Sequence, residues 1–185
     1  MRAIRILREE QELIDRFLAA FGMGTVGAAQ NKPVRPSFFT YSTRFIREFI
    51  EENHFKKEEI LLNSLQENGL ESDSGPAKVM LDEQQKSREI TRIMLEAAES
   101  WVSGEEAARA DIIWAASSYS TLLRQHIQRA RSIIFPLAEQ LLPADDGYKI
   151  SEAFNHVVFQ ENGADEPEKY TGIIKALEDE ILEWK

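Results

Sequence analysis

Apolar residues recur at steps of three and four along almost the whole chain, and nowhere do they alternate with polar ones as a half-buried strand requires. The first stripe, about residues 2–21, runs through Ile4, Leu7, Ile14, Leu18 and Phe21. Gly22 and Gly24 predict its end, and three glycines, two prolines and many small residues predict a long connection over 22–37, a candidate lid or wrap. A second helix is expected from Ser37 to the Asn68-Gly69 stop signal, with Ile46, Ile50, Leu61, Leu62 and Leu65 inward. After the turn cluster GLESDSGP, Pro76 suits the first turn of a third helix that runs to Ser103-Gly104 with Met80, Ser87, Ile90, Met94, Ala97 and Trp101 inward. The fourth, about Glu105 to Leu142, turns Ile112, Ala116, Tyr119, Leu123, Ile133, Ile134, Leu137 and Leu141 inward. Pro136 lies inside that pattern and is expected to bend it, because proline removes a backbone donor. Residues 147–163 read as a short helix or irregular turn, and a last helix after Pro167 buries Tyr170, Ile174, Leu177, Ile181 and Trp184.

Helices joined by short turns pack antiparallel, so the expected fold is all-α: an up-down-up-down four-helix bundle over 1–145, with a helical appendage over 146–185 packed on its outside. No internal repeat or low-complexity tract interrupts this pattern.

Each of the four stripes is broken by polar residues at about the same distance from the shared turns. Gln11 breaks the first, His54 and Glu58 the second, Gln84 the third and His126 the fourth, with Ala130 one turn beyond His126 on the same face. His54 and Glu58, four residues apart, project from one side of their helix. A buried polar group without a partner costs about 1–3 kcal/mol. Five at one level therefore imply either a hydrogen-bonded network or a bound ligand, and metal sites in bundle cores are built this way. His54, Glu58 and His126 are the candidate metal ligands, matching in type the two histidines and a carboxylate that hold mononuclear iron or zinc. His156 has no matching carboxylate and reads as a surface or packing residue.

Composition narrows the chemistry. The 185 residues contain no cysteine, which excludes disulfides, thiolate nucleophiles and Cys-ligated metals. Lys plus Arg total 22 against 32 Asp plus Glu, a formal net charge of −10, scattered along the chain, which disfavours nucleic acid and anionic membrane as partners. No segment approaches a membrane span, and the acidic residues in MRAIRILREEQELIDRFLAAF argue against a signal peptide, so a cytoplasmic location is expected. GMGTVG follows a helix instead of a strand, and no Ser/His/Asp arrangement or dinucleotide fingerprint is present.

Several stretches together resemble one family. HFKKEE (54–59) looks like a second-helix H-x-x-x-E-E, GPAKVMLDEQQKSR (75–88) like G-P followed by M-x-x-E-H and an arginine, LLRQHIQRARSIIFP (122–136) like L-x-x-H-I-x-x-E ending in F-P, and Leu7 to Ile14 like L-x-x-E-H-x-x-I. These are patterns of the hemerythrin-like, HHE cation-binding four-helix bundles, and the resemblance covers about residues 4–142. It implies a buried di-iron or related site held by histidines and carboxylates. The departures fall on the ligands themselves: Gln11 and Gln84 stand where histidines are expected, and Ala130 where the fourth-helix carboxylate is expected. What the resemblance then implies is a protein whose di-iron site is largely lost and which serves non-enzymatic binding, sensing or regulation without a cofactor. The alternative is a mononuclear iron or zinc protein using His54, Glu58 and His126 and responding to oxygen or nitric oxide. The expected partner is a small ligand or a protein, with a homo-oligomer as a further expectation.

Overall fold

The structure, a computed structural model, describes residues 1–71, 73–161 and 167–184, and every regular element among them is helical. Helix α1 spans Arg2–Ala29. α2 (Pro36–Phe45) passes without a break into a π-helical stretch, Ile46–Phe55, and then into α3 (Lys56–Glu67). α4 is Gly75–Val102, and α5 (Ala108–Arg129) continues through a second π-helical stretch, Ala130–Ile134, into α6 (Phe135–Leu141). α7 (Ala144–Glu161) and α8 (Pro167–Glu183) complete the chain. α4 packs along α5, α5 along α1, and α2 against α4, while α7 lies on α1 and α3 and α8 on α1 and α2. Gly69 (φ 100°) and Gly104 (φ 103°) close α3 and α4 in the left-handed region, where a Cβ would be strained.

Three sequence expectations are corrected. The first helix does not end at Gly22: α1 runs to Ala29, and the connection shrinks to the half-dozen residues before Pro36. Two of the glycines there serve packing. A Cβ at Gly24 would stand 2.1 Å from the Phe38 ring, and one at Gly27 would stand 2.9 Å from Trp184, so both let neighbouring rings rest on the α1 backbone. At Gly22 a Cβ would meet nothing within 4 Å. Gly22→Ala is therefore expected to stabilise the protein by about 0.5–1 kcal/mol through helix propensity, whereas Gly24→Ala is expected to destabilise it by about 1–3 kcal/mol through overpacking. Paired urea melts check the opposite signs.

Second, the chain after Gly147 is not a short or irregular piece but part of the long helix α7. Third, Ile133 and Leu141 are 38% and 40% exposed; Ile134 is buried as expected, and Phe135, Ala138 and Leu142 face inward in place of the other two. The wide turn just before Pro136 accommodates the missing donor and rotates the inward face by part of a turn. Arg109 on α5 caps the far end of α1, donating Nη2 and Nε to the Ala28 carbonyl at 2.6 and 3.1 Å.

The buried apolar residues form two clusters. One holds Ile14, Phe17, Phe21, Phe38, Phe45, Phe55, Met94, Ile112 and Tyr119 among others, with Ile174 and Leu177 of α8. The other holds Ile4, Leu7, Leu61, Leu65, Met80, Ile134 and Phe135, with Ile150 and Phe154 of α7. Between Leu7 and Ile14, between Phe55 and Leu61, and between Met80 and Ile90 the buried residues are polar. A charged layer thus divides the core.

Candidate functional site

That layer contains Gln11, His54, Glu58, Gln84 and His126, each no more than 2% exposed. Widened winding positions the second-helix members: in the π-helical stretch Asn53, His54 and Phe55 are buried in succession, which an ordinary amphipathic helix does not allow.

Glu58 is the centre. Its Oε2 accepts from His126 Nε2 at 2.7 Å and from Gln84 Nε2 at 2.9 Å, and its Oε1 faces His54 Nε2 at 3.2 Å as an ion pair without hydrogen-bond alignment. The opposite ring nitrogens are also taken. His54 Nδ1 lies 2.8 Å from Glu10 Oε2, and His126 Nδ1 lies 3.1 Å from Glu83 Oε2. Carboxylates only accept, so the His126 ring, bonded to one through each nitrogen, must donate from both and carry a positive charge, while the His54 ring, bonded to Glu10 and 3.2 Å from Glu58, is drawn to the same state by the two carboxylate charges. Burial alone would lower both histidines. For each, the Glu58 charge and the flanking carboxylates overcome it and raise the pKa to about 9. Burial opposes ionisation of Glu58 too, but the two imidazolium charges hold its carboxyl far below the usual range.

Glu10 and Glu83, one residue before the glutamines, are site residues that periodicity places at helix interfaces, about 100° from the core stripe. From those positions they reach sideways to the histidines of the neighbouring helices, Glu10 of α1 to His54 in the Ile46–Phe55 stretch and Glu83 of α4 to His126 of α5. Each has a further cation one turn past its histidine: Lys57 bonds Glu10 Oε1, and Arg129 bonds Glu83 Oε1 at 3.0 Å. Both carboxylates are held ionised below their ordinary value; burial opposes this, and His54 with Lys57, and His126 with Arg129, outweigh it. The layer therefore has local two-fold character, a Glu-Gln pair facing a His-x-x-Lys or His-x-x-Arg pair twice over, visible in the sequence only once the helices are paired. Glu58 breaks the symmetry, since Ala130 occupies the equivalent position.

The remaining expected positions fall as follows. Gln11 Oε1 accepts from Arg131 Nε at 2.9 Å, and Arg131 Nη2 continues to Asp15 at 2.8 Å. Ala130 is fully buried in the apolar cluster beside the layer. His156 takes no part in these contacts. Four polar atoms of the layer stay without a hydrogen-bond partner: Gln11 Nε2, His54 Nε2, Glu58 Oε1 and Gln84 Oε1.

The donor set does not fit two metal ions. Two amides and an alanine take the places of anionic or imidazole donors, and both imidazoles would first have to lose a proton held by carboxylates on either side. Among the described residues no group of three or more His, Asp or Glu is disposed to hold a metal ion. No described helix is long and apolar enough to cross a membrane. Residues 2–138 match the family model for the hemerythrin HHE cation binding domain. No curated protein and no solved structure matches the chain.

Proposed function

We propose, from the premise that this chain belongs to the hemerythrin HHE cation-binding family, that it keeps the family's up-down-up-down four-helix bundle over residues 1–145 and uses it without the family's two-metal centre. Residues 146–185 are then a helical appendage on that bundle. The role that follows is non-enzymatic binding, sensing or regulation in the cytoplasm. The observation that carries this reading is Glu58 held between the Nε2 atoms of His54 and His126, whose Nδ1 atoms face two further carboxylates. Two protons satisfy the charges that two cations would otherwise balance, and the chain needs no cofactor to do so.

A second reading, a single iron or zinc ion, is favoured by one detail. His54 Nε2 and Glu58 Oε1 lie 3.2 Å apart with no hydrogen bond between them. Two donors at about 2.0–2.2 Å on one ion, roughly at right angles, stand about 3 Å apart. Elemental analysis of protein purified without chelator or affinity-tag metal, repeated after anaerobic iron(II) loading, separates the readings. The expected result is no retained metal before or after loading. Near-stoichiometric iron or zinc that disappears in His54→Ala and His126→Ala would replace the first reading by the second. The triple change Gln11→His, Gln84→His and Ala130→Glu supplies the missing donor types and is expected to raise iron retention.

A further inference from the structure

A groove of about 480 Å³ runs along the outward side of α1, flanked by α5 and α8. Its floor is a helical stripe of small and apolar residues: Ala19, Gly22, Met23 and Val26. Met23 and Val26 are 52% and 54% exposed, and the Trp184 indole forms one wall. Gly22 gives the floor its depth, since no atom lies within 4 Å of the place its Cβ would take. Leu18 to Gly27 covers about 14 Å of helix axis, the reach of a medium-length alkyl chain, and the volume falls in the roughly 300–1,000 Å³ range of small-molecule sites.

The charge at the rim selects the ligand. Arg124 stands at the Leu18 end, held by donating Nη2 to the Leu18 carbonyl at 3.2 Å, and Lys32 stands towards the other end. Among the described residues neither forms an ion pair and no carboxylate lines the groove. On a chain of net charge −10 this is a local reversal of sign. An apolar floor with a cationic rim is complementary to a molecule that is apolar along its body and negative at its head. A guanidinium with free N–H groups meets a carboxylate in paired, parallel hydrogen bonds.

We propose that this groove binds an amphiphile with one anionic head, its alkyl body laid along α1 between Leu18 and Trp184 and its carboxylate on Arg124. The site lies outside the charged layer and does not depend on what that layer holds.

The test titrates the full chain with sodium dodecanoate below its micellar concentration, with dodecanol and dodecyltrimethylammonium as neutral and cationic counterparts. Affinity is read by calorimetry and location by amide chemical-shift changes. Dodecanoate is expected to shift the amides of Gly22, Met23, Val26 and Gly27 and to bind at least about tenfold more tightly than either counterpart, a gap typical of a charge-assisted contact. Gly22→Leu fills open space and is expected to weaken dodecanoate by about tenfold or more with an unchanged or higher Tm. Arg124→Gln, a change at an exposed position, is expected to abolish the preference over dodecanol. Equal binding of the cationic amphiphile, or dodecanoate binding indifferent to both substitutions, would overturn the proposal. So would a sedimentation dimer abolished by Gly22→Leu, which would give the groove to a second copy of the chain.

Discussion

Glu58→Gln is expected to cost the protein about 3–5 kcal/mol at pH 6, on the order of 10 °C in Tm for a chain of this size. The amide keeps the shape of the carboxylate but not its charge, and it leaves two imidazolium rings facing a neutral group inside the core. Each ring retains one carboxylate, Glu10 or Glu83, but those are already shared with Lys57 and Arg129. A counter-experiment distinguishes lost charge from lost packing. Replacing all three central groups by apolar residues of similar volume, His54→Leu with Glu58→Met and His126→Phe, removes the charges together, and buried ion pairs so replaced are often neutral or stabilised. The triple variant is expected to regain most of the loss in urea melts. A Glu58→Gln protein as stable as its parent would remove the claim that both histidines are charged.

The stability of the unsubstituted protein is expected to peak in mildly acidic solution and to fall steeply towards pH 9. The signs follow from the two kinds of group. His54 and His126 have folded pKa values of about 9 against an ordinary 6.5, so their contribution is complete below about 6.5 and is lost as the pH climbs through 9. Glu58 is depressed from an ordinary 4.5, so its contribution is complete above that value and declines as the solution becomes more acidic. The network is therefore at full strength between about pH 4.5 and 6.5. Each histidine that gives up a proton on unfolding contributes a slope of about 1.4 kcal/mol per pH unit between its two values, so the total change by pH 9 is several kcal/mol. Urea midpoints at pH 6 and pH 9, with constant ionic strength, read it directly. A flat profile would mean that the rings are neutral in the folded state.

Much of this site is legible in the sequence because burial is periodic and polarity is not expected on the buried face. Gln11, His54, Glu58, Gln84 and His126 announce themselves by occupying positions where Leu or Ile would be ordinary. Glu10 and Glu83 are legible only as second-choice carboxylates, because adjacency along a helix sets them off the stripe, and only the pairing of helices reveals that this offset aims them at the neighbouring histidines. Glycine was misleading for a different reason. Gly24 and Gly27 carry the same letters whether a helix stops or a ring from elsewhere needs the space, and the rings concerned, Phe38 and Trp184, are distant in sequence. The wide turns at Ile46–Phe55 and Ala130–Ile134 leave no mark in composition, so the inward face past Ala130 is displaced from the one that regular periodicity gives. α7 brings Ile150 and Phe154, one turn apart, to the second apolar cluster, and so short a stripe does not mark a long helix in the sequence.

The division of the apolar interior into two clusters bears on how cooperatively the molecule opens. Each cluster recruits its own C-terminal helix, α8 on one side of the charged layer and α7 on the other. What joins the two halves is continuous backbone in the long helices together with the ion pairs centred on Glu58. As the histidines lose their protons the joint weakens while both clusters stay intact, so one all-or-none unit gives way to two sub-global ones. Amide exchange in the α7 half and the α8 half then ceases to share a single protection ceiling, and the proton acts as the rivet between two foldons.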